Sequence, residues 1–350
     1  MNRASAGCDD WAKRHCHNNS PLPIGAPVRM IGANRGIHHM QHALRLDGVV
    51  KRFGGMTAVD GLSFAVAPGE VFGFLGGNGA GKTTSLRMVL DIIRPDAGEI
   101  SVLGKPPGRE ASGRLGFLPE ERGLYRSMTA LETVIYFGRL KGMSAGDARA
   151  RGRTLLDRFG LGANLKTGVD KLSKGMAQKV QLATAVVNAP ALLILDEPFS
   201  GLDPVNQGLL EDEITSAARG GAAVVFSTHV MQHAERLCDR LLLLAKGRKR
   251  FEGTQDEARA TLPARLDVVA RQSPASLDGV ASATVTAQLG DGWAAWDVRL
   301  APGRDPADLL QHCTERGLPL RRFEQHRPGL HDVFLHIVGP TEPQASEMQA

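Results

Sequence analysis

The residues best suited to chemistry form a glycine-rich segment between an apolar strand predicted at residues 71–75 and a helix predicted at residues 85–90. The segment reads G-x-x-x-x-G-K-T, whose glycines let backbone N–H groups turn inward around phosphate oxygens. Lys82 offers a charge for the β- and γ-phosphates, and Thr83 a hydroxyl ligand for Mg²⁺. The pattern predicts a site for ATP with Mg²⁺. Its candidate binding residues are Gly76, Gly77, Asn78, Gly79, Ala80, Gly81, Lys82, Thr83 and Thr84.

An acidic pair, Asp196 and Glu197, closes a second apolar run at residues 192–195. Such a run predicts a buried strand, and ligands of parallel sheets bind at the carboxyl ends of strands. Asp196 is the candidate Mg²⁺ ligand. Glu197 is the candidate base that takes a proton from the attacking water.

A third segment, Leu-Ser-Lys-Gly-Met at residues 172–176, precedes a helical pattern ending near residue 188. Ser173 can cap that helix, and Gly175 leaves the N-terminal N–H groups uncovered, which predicts a second anion-binding helix end.

The order of the patterns along the chain predicts an α/β fold. Short strands bounded by glycine begin near residue 43, a helical pattern occupies residues 129–188, and strands then return. A capping box at Thr129 and Glu132 marks the first helix of that insertion, with one face formed by Leu131, Val134, Ile135 and Leu140. The expected divisions are a disordered tail at 1–42, an ATPase domain at 43–262 with a helical subdomain at about 128–188, a small α+β accessory domain at 263–338, and a flexible tail at 339–350.

The composition limits the protein class. The chain has 350 residues, of which 42% are hydrophobic and 23% charged, as in soluble globular proteins. Its apolar runs are well short of the roughly 20 residues that span a bilayer. The net charge is +5, and residues 1–43 carry about +3 of it, from five basic and two acidic side chains. With no basic stripe, we expect no direct nucleic-acid partner. Four cysteines without metal or disulfide spacing indicate a reducing compartment.

Taken together, the motifs resemble the ATPase subunit of an ABC transporter over about residues 43–255. The resemblance rests on the phosphate loop, the helical insertion, Leu-Ser-x-Gly, Ile-Leu-Asp-Glu-Pro at 194–198, Ser-Gly-Leu-Asp at 200–203 and the later His229. It implies an ABC-type P-loop NTPase fold and two ATP molecules sandwiched between two such subunits, in a homodimer or with a paired ATPase subunit. It also implies that Ser173 and Gly175 close over the ATP of the other chain, that Asp203 couples the two sites, that His229 contacts the γ-phosphate and that Phe53 stacks on adenine.

Three positions depart from the family's commonest pattern. Lys174 and Met176 replace a glycine and a glutamine in the signature segment, Glu120 replaces a glutamine that touches the metal and senses the membrane partner, and Phe53 replaces a tyrosine. A carboxylate at Glu120 remains able to ligate Mg²⁺, and phenylalanine keeps an aromatic face.

The narrower features resemble ATPase subunits of exporters with ABC-2 type membrane subunits. These features are the Lys-Gly-Met signature, Pro-Glu-Glu-Arg-Gly at 119–123 and Leu-His-Asp-Val-Phe-Leu at 330–335. They imply a peripheral protein on the cytoplasmic face of the membrane, bound to separately encoded permease subunits.

Two other classes share the nucleotide motifs. A non-transport ABC ATPase of DNA repair or translation would carry a long coiled coil or two cassettes, and neither is present in the sequence. A regulatory module without catalysis would not be expected to retain Lys82, Asp196, Glu197 and His229.

Overall fold

The structure is a computed structural model that describes residues 41–121 and 123–339. The predictions for residues 1–40 and 340–350 lie outside the described residues. The strands are β1 (Leu44–Phe53), β2 (Met56–Val66), β3 (Val71–Leu75), β4 (Ala97–Val102), β5 (Leu115–Leu118), β6 (Leu192–Asp196), β7 (Ala223–Thr228), β8 (Arg240–Ala245), β9 (Arg248–Thr254), β10 (Arg265–Ala270), β11 (Val280–Gly290), β12 (Trp293–Leu300) and β13 (Leu320–His326).

Helices connect these strands. They are α1 (Lys82–Val89), α2 (Arg109–Ser112), α3 (Ala130–Leu140), α4 (Ala145–Arg158), α5 (Lys174–Val186), α6 (Pro204–Arg219), α7 (Met231–Leu237), α8 (Gln255–Arg259), α9 (Pro306–Glu315) and α10 (Leu330–Val338). Three short 3-10 turns lie at Gly162–Asn164, Val169–Lys171 and Pro274–Ser276.

The central sheet has six strands in the order β5-β6-β7-β3-β8-β9. All neighbours are parallel except β8 and β9. Strands β3, β6 and β7, in the middle of this sheet, are buried along their whole length because both of its faces are covered. In β3, for example, Val71 and Leu75 belong to one core, and Phe72 and Phe74 to the core on the opposite face.

The strand order explains where the candidate nucleotide-binding and catalytic residues meet. Strands β5, β6, β7, β3 and β8 are neighbours that run in one direction, so their carboxyl ends share one edge of the sheet. The segments that follow them contain, respectively, Glu120, Glu197, His229, the phosphate loop and Lys246. One edge of the sheet therefore collects residues that are far apart in the sequence.

A separate antiparallel sheet, in the order β2-β1-β4, covers the second core together with α1. The turn between β1 and β2 brings Phe53 and Ala58 to the phosphate loop. Between β5 and β6, helices α3, α4 and α5 pack against one another.

The predicted capping box is confirmed: the Glu132 N–H donates to Thr129 Oγ1 at 3.3 Å, and the Thr129 N–H donates to Glu132 Oε2 at 2.9 Å. The predicted apolar face of α3 is wrong at its end, because Leu140 is 66% exposed while Leu131 and Val134 are buried. Leu140 is the last residue of the helix, where the chain leaves the core.

The residues after 264 form a four-stranded antiparallel sheet in the order β11-β12-β10-β13, with its own core beside α9. The last helix, α10, does not pack against this sheet. Its residues Leu330, Val333 and Phe334 lie in the main core, together with Met231 and Ala234 of α7. The backbone N–H of Leu330 donates to Glu235 Oε1 at 2.5 Å. The C-terminal region thus contributes a helix to the core of the ATPase part.

Within residues 41–121 and 123–339, no helix combines the length and the apolar character needed to cross a bilayer.

The packing of α10 generates a stability prediction. Phe334→Ala should lower the free energy of unfolding by about 3 kcal/mol, because a buried aromatic ring leaves a cavity in the main core. The neighbouring Leu335 is 41% exposed, so Leu335→Ala should cost under about 1 kcal/mol. Thermal melting of both variants in the presence of MgATP measures the difference. Equal losses would show that α10 does not support this core.

Candidate functional site

A cavity of about 720 Å³ opens at the shared edge of the central sheet. It is lined by residues from strands β1 and β2, from the start of α1 and from the loops that follow the parallel strands. These are Phe53, Met56, Thr57, Ala58, Gly77, Asn78, Gly79, Ala80, Gly81, Lys82, Thr83, Thr84, Glu120, Glu197, His229, Lys246 and Gly247. The structure therefore brings most of the predicted nucleotide residues to one cavity.

Close backbone contacts and hydrogen bonds of Lys82 fix the conformation of the phosphate loop. Gly81 has φ +106°, and a Cβ atom there would lie 2.5 Å from the Ala58 carbonyl oxygen, so the position requires glycine. Lys82 opens helix α1 and is only 6% exposed. Its Nζ donates to the Gly76 carbonyl at 2.6 Å and to the Gly77 carbonyl at 3.3 Å. The lysine charge is thus fixed inside the curve of the loop.

A serine links the carboxylate of Asp196 to the backbone of Glu197. Ser227 Oγ donates to Asp196 Oδ1 at 2.5 Å and accepts from the Glu197 backbone N–H at 3.0 Å. Glu197 has φ +45°, an uncommon conformation for a residue with a side chain. The bond to Ser227 supports this backbone turn, which follows directly on β6.

Glu197 lies between two groups that can carry positive charge. Its Oε1 is 3.4 Å from Lys82 Nζ, and its Oε2 is 3.0 Å from His229 Nδ1. An ionised carboxylate only accepts hydrogen bonds, so Nδ1 of His229 carries the proton in this contact. The carboxylate, the lysine and the imidazole therefore form one connected group at the edge of the cavity.

Two residues next in sequence to this group, Thr83 and Asp196, are suited to Mg²⁺. Thr83 Oγ1 donates to Asp196 Oδ1 at 3.5 Å, so a hydroxyl and a carboxylate oxygen converge. The described residues contain no cluster of three or more His, Cys, Asp or Glu side chains placed for a metal. Mg²⁺ in nucleotide sites needs only one or two protein oxygens besides water and phosphates, so this pair fits the ion.

Phe53 and Glu120 both line this cavity. The Phe53 ring is 47% exposed, and Lys51 Nζ lies 5.4 Å from its centroid. Glu120 is exposed. The segment around it is held by Gln181 of α5, whose Nε2 donates to the carbonyls of Pro119 at 3.4 Å and Glu121 at 3.1 Å.

The signature residues do not join this cavity. Ser173 caps α5 as predicted, accepting from the Met176 N–H at 3.3 Å, and it is exposed. Asp203 caps α6 by accepting from the Asn206 N–H at 3.0 Å, a bond that lowers the pKa of its carboxyl group. Neither residue, nor Gly175, lines the nucleotide cavity described above.

The start of α5, capped by Ser173, and the start of α6, capped by Asp203, lie side by side. A Cβ atom on Gly175 would be 3.3 Å from Asn206 Nδ2, and one on Gly201 would be 2.8 Å from Lys174 Nζ. The signature segment and the loop at residues 200–203 therefore form one surface, separate from the nucleotide cavity.

Sequence reasoning missed several residues at the site. Ser227 has a visible signal, because it is a polar residue at the end of the apolar run before His229. Lys246 follows another such run. Met56 and Thr57 reach the cavity only because the three-stranded sheet folds over the loop, and no local pattern reports that.

A second cavity of about 390 Å³ lies near the Glu120 segment and has mainly apolar neighbours, including Leu90, Phe117, Leu124, Phe137 and Leu140. At its wall, Lys141 Nζ donates to Asn188 Oδ1 at 3.3 Å, and burial lowers the pKa of Lys141 to about 8. Pro119, beside Glu120, lines this cavity, so one short loop borders both cavities.

Removing the serine bridge tests its importance. Ser227→Ala should lower the free energy of unfolding by about 1–3 kcal/mol, because the buried N–H of Glu197 loses its acceptor. Turnover of ATP should fall as well, since Glu197 and Asp196 lose their shared support. Thermal melting and phosphate release measure both effects, with the exposed Ser282→Ala as the control. A Ser227→Ala protein as stable and active as Ser282→Ala would contradict this role.

Comparison with known proteins agrees with the geometry. Residues 59–200 match the family model described as ABC transporter. The chain is 38% identical over 300 residues to the uncharacterized ABC transporter ATP-binding protein YhaQ of Bacillus subtilis, which covers 85% of this chain and 98% of that protein. It is 39% identical over 299 residues to the Nod factor export ATP-binding protein I of Burkholderia orbicola. That alignment covers 83% of this chain and 95% of the relative.

The solved structure of an ATP binding subunit of an ABC transporter superposes on this chain with a TM-score of 0.58 at 31% identity. The superposition covers 63% of this chain and 92% of that one. The predicted fold class is confirmed, and the alternative of a repair or translation ATPase finds no support here. The match to YhaQ runs along almost the whole of that relative. The chain belongs to the ABC transporter family, as an ATP-binding subunit that hydrolyses ATP in support of transport.

Proposed function

We propose that two copies of this chain, or this chain and a paired ATPase subunit, enclose two ATP molecules between them. The observation that carries the proposal is the separation of two half-sites. Lys82, Glu197 and His229 share one cavity, whereas Ser173 caps a helix on a different surface, beside the loop at residues 200–203. A second chain can supply that surface to the open side of the cavity.

In this arrangement each residue has a defined task. The loop N–H groups and Lys82 bind the phosphates, Phe53 stacks on the adenine, and His229 contacts the γ-phosphate. Ser173 and Gly175 of the second chain close over the γ-phosphate with N–H groups at a helix start. Asp203 shapes the adjoining loop by capping α6.

Hydrolysis requires a group that removes a proton from water. The water oxygen forms a bond to the γ-phosphorus as the bond to the β-phosphate oxygen breaks, and the proton passes to the Glu197 carboxylate. Glu197 is held for this step by Ser227 behind its backbone and by Lys82 and His229 beside its oxygens. Thr83 and Asp196 would hold Mg²⁺, with Glu120 as a further oxygen donor lining the cavity, and the ion would neutralise charge on the phosphates.

Replacing the base gives the sharpest test of the enclosed-ATP arrangement. Glu197→Gln keeps the shape of the side chain and removes the proton acceptor, so ATP should bind and persist. The variant should be a dimer in MgATP and a monomer without it, because nucleotide bound by both chains links binding to association. Light scattering with and without MgATP measures this.

The matched control adds Ser173→Arg to the same chain, which places a bulky cation in the shared site and should abolish the ATP-dependent dimer. If Glu197→Gln hydrolyses ATP at the original rate, the base is misassigned. If it stays monomeric with ATP demonstrably bound, the enclosed arrangement is wrong.

We further propose that the chain drives ABC-2 type membrane subunits as an exporter, from the cytoplasmic face of the cell membrane. Support comes from the Nod factor export relative, which is similar along 95% of its length. The second cavity is the proposed docking site for an apolar helix of the membrane subunit. Its neighbours are mainly apolar, and the Pro119–Glu120 loop connects it with the nucleotide cavity.

A charge in this cavity should release the protein from membranes. Leu140 is 66% exposed at the cavity wall, so Leu140→Glu should leave folding and MgATP binding nearly unchanged. The fraction sedimenting with membranes of the cells that make the protein should fall at least about fivefold, because burying an unpaired carboxylate is costly. Leu289→Glu, at an exposed site on β11, is the control. Equal sedimentation of both variants would place docking elsewhere.

A further inference from the structure

His233 is a buried histidine that the proposed chemistry does not use. It lies in the first turn of α7, four residues after His229, and is 7% exposed. Its ring stacks on the Phe199 ring with centroids 4.0 Å apart and planes 10° from parallel. Phe199 lies two residues after Glu197 and is itself buried against Phe226, edge to face, with centroids 6.0 Å apart.

The stack connects two segments of the proposed site. On one side, α7 begins directly after His229 and Val230. On the other, Phe199 belongs to the turn that leads from Glu197 to Asp203: the Ser200 N–H donates to the Glu197 carbonyl at 3.1 Å, and the Leu202 N–H donates to the Phe199 carbonyl at 3.2 Å. Displacing either ring therefore changes the support of both segments.

Polar contacts fix the orientation of the His233 ring. Arg236 Nη2 lies 3.0 Å from His233 Nδ1 and pairs with Glu211 Oε1 of α6 at 2.6 Å. Since guanidinium only donates, Nδ1 accepts, which requires a ring without a proton on that nitrogen. Burial and the neighbouring Arg236 lower the pKa of His233. The neutral ring is thereby tied to α6, the helix that Asp203 caps.

We infer that His233 is a positioning residue for ATP hydrolysis, coupling His229 to the turn between Glu197 and Asp203 through its ring stack on Phe199. The inference rests on the roles proposed above for His229 and Asp203. It adds that the γ-phosphate contact and the loop facing the second chain are set together. Helix α10 packs on α7 through Phe334 and Leu330, so the C-terminal region supports the same element.

The test separates positioning from stability. His233→Ala should lower kcat for MgATP about tenfold while KM changes less than about twofold, because nucleotide binding does not depend on the stack. His233→Phe keeps a flat ring and should restore kcat to within about threefold of the unmodified protein. Gln232→Ala, an exposed neighbour on the same helix, is the control and should behave as the unmodified protein. Combining His233→Ala with Phe199→Leu should cost little more than either change alone, because both remove one contact.

The outcomes are distinguishable. If His233→Ala keeps full kcat while His229→Ala abolishes it, the inference is wrong and the proposed function stands. If His229→Ala also keeps full kcat, the proposed function itself is wrong. If the alanine variant melts below the assay temperature, His233→Gln replaces it, since it keeps a polar group of similar reach and lacks the ring. Failure of His233→Phe to recover activity in a folded protein would also overturn the inference.

Discussion

The burial of a lysine beside two carboxylates is the constraint on which this site depends. Lys82, Asp196 and Glu197 are each at most 9% exposed, and an uncompensated charge in such a position costs several kcal/mol. Each charge is compensated by a partner from another strand end: Lys82 for Glu197, and Ser227 for Asp196. These partners meet only when β6, β7 and β3 are neighbours, so the strand order of the sheet and the chemistry of the site require each other.

In the proposed two-chain arrangement, one chain supplies only part of each ATP site. Lys82 and His229 pair with the Glu197 carboxylate at the cavity. The signature segment at Ser173 packs against the loop at 200–203 on another surface. A site that needs both surfaces depends on association of two chains. The stack of His233 on Phe199 would then let the catalytic residues respond when the second surface arrives.

Much of this could be predicted from local patterns. The phosphate loop, the acidic pair and the cap at Ser173 are short motifs whose function follows from residue type and spacing, and uninterrupted apolar runs marked the buried strands. The strand order β5-β6-β7-β3-β8 could not be predicted from the sequence, because parallel strands pair across long connections that leave no local signal. The hydrogen-bond partners of Ser227 could not be predicted for the same reason, since they come from a different strand.

The C-terminal boundary shows a second limit. The sequence analysis assigned residues 263–338 to an accessory domain, but Leu330 and Phe334 pack with α7 in the main core. An amphipathic pattern indicates that a helix packs against a partner, but it does not identify that partner. The exposed Leu140 is the converse case, since its apolar type indicated the core while its place at the end of α3 leaves it exposed.

The most direct measurement concerns sites built from two chains. Two variants that both carry Glu197→Gln are prepared, one with Lys82→Ala and one with Ser173→Arg, and each is examined by light scattering in MgATP alone and in an equal mixture. We expect each to be monomeric alone and the mixture to contain dimers with about one ATP each, because only a mixed dimer has one site with Lys82 from one chain and Ser173 from the other intact. A dimer of either variant alone, or a mixture that stays monomeric where Glu197→Gln by itself dimerises, would contradict the shared site.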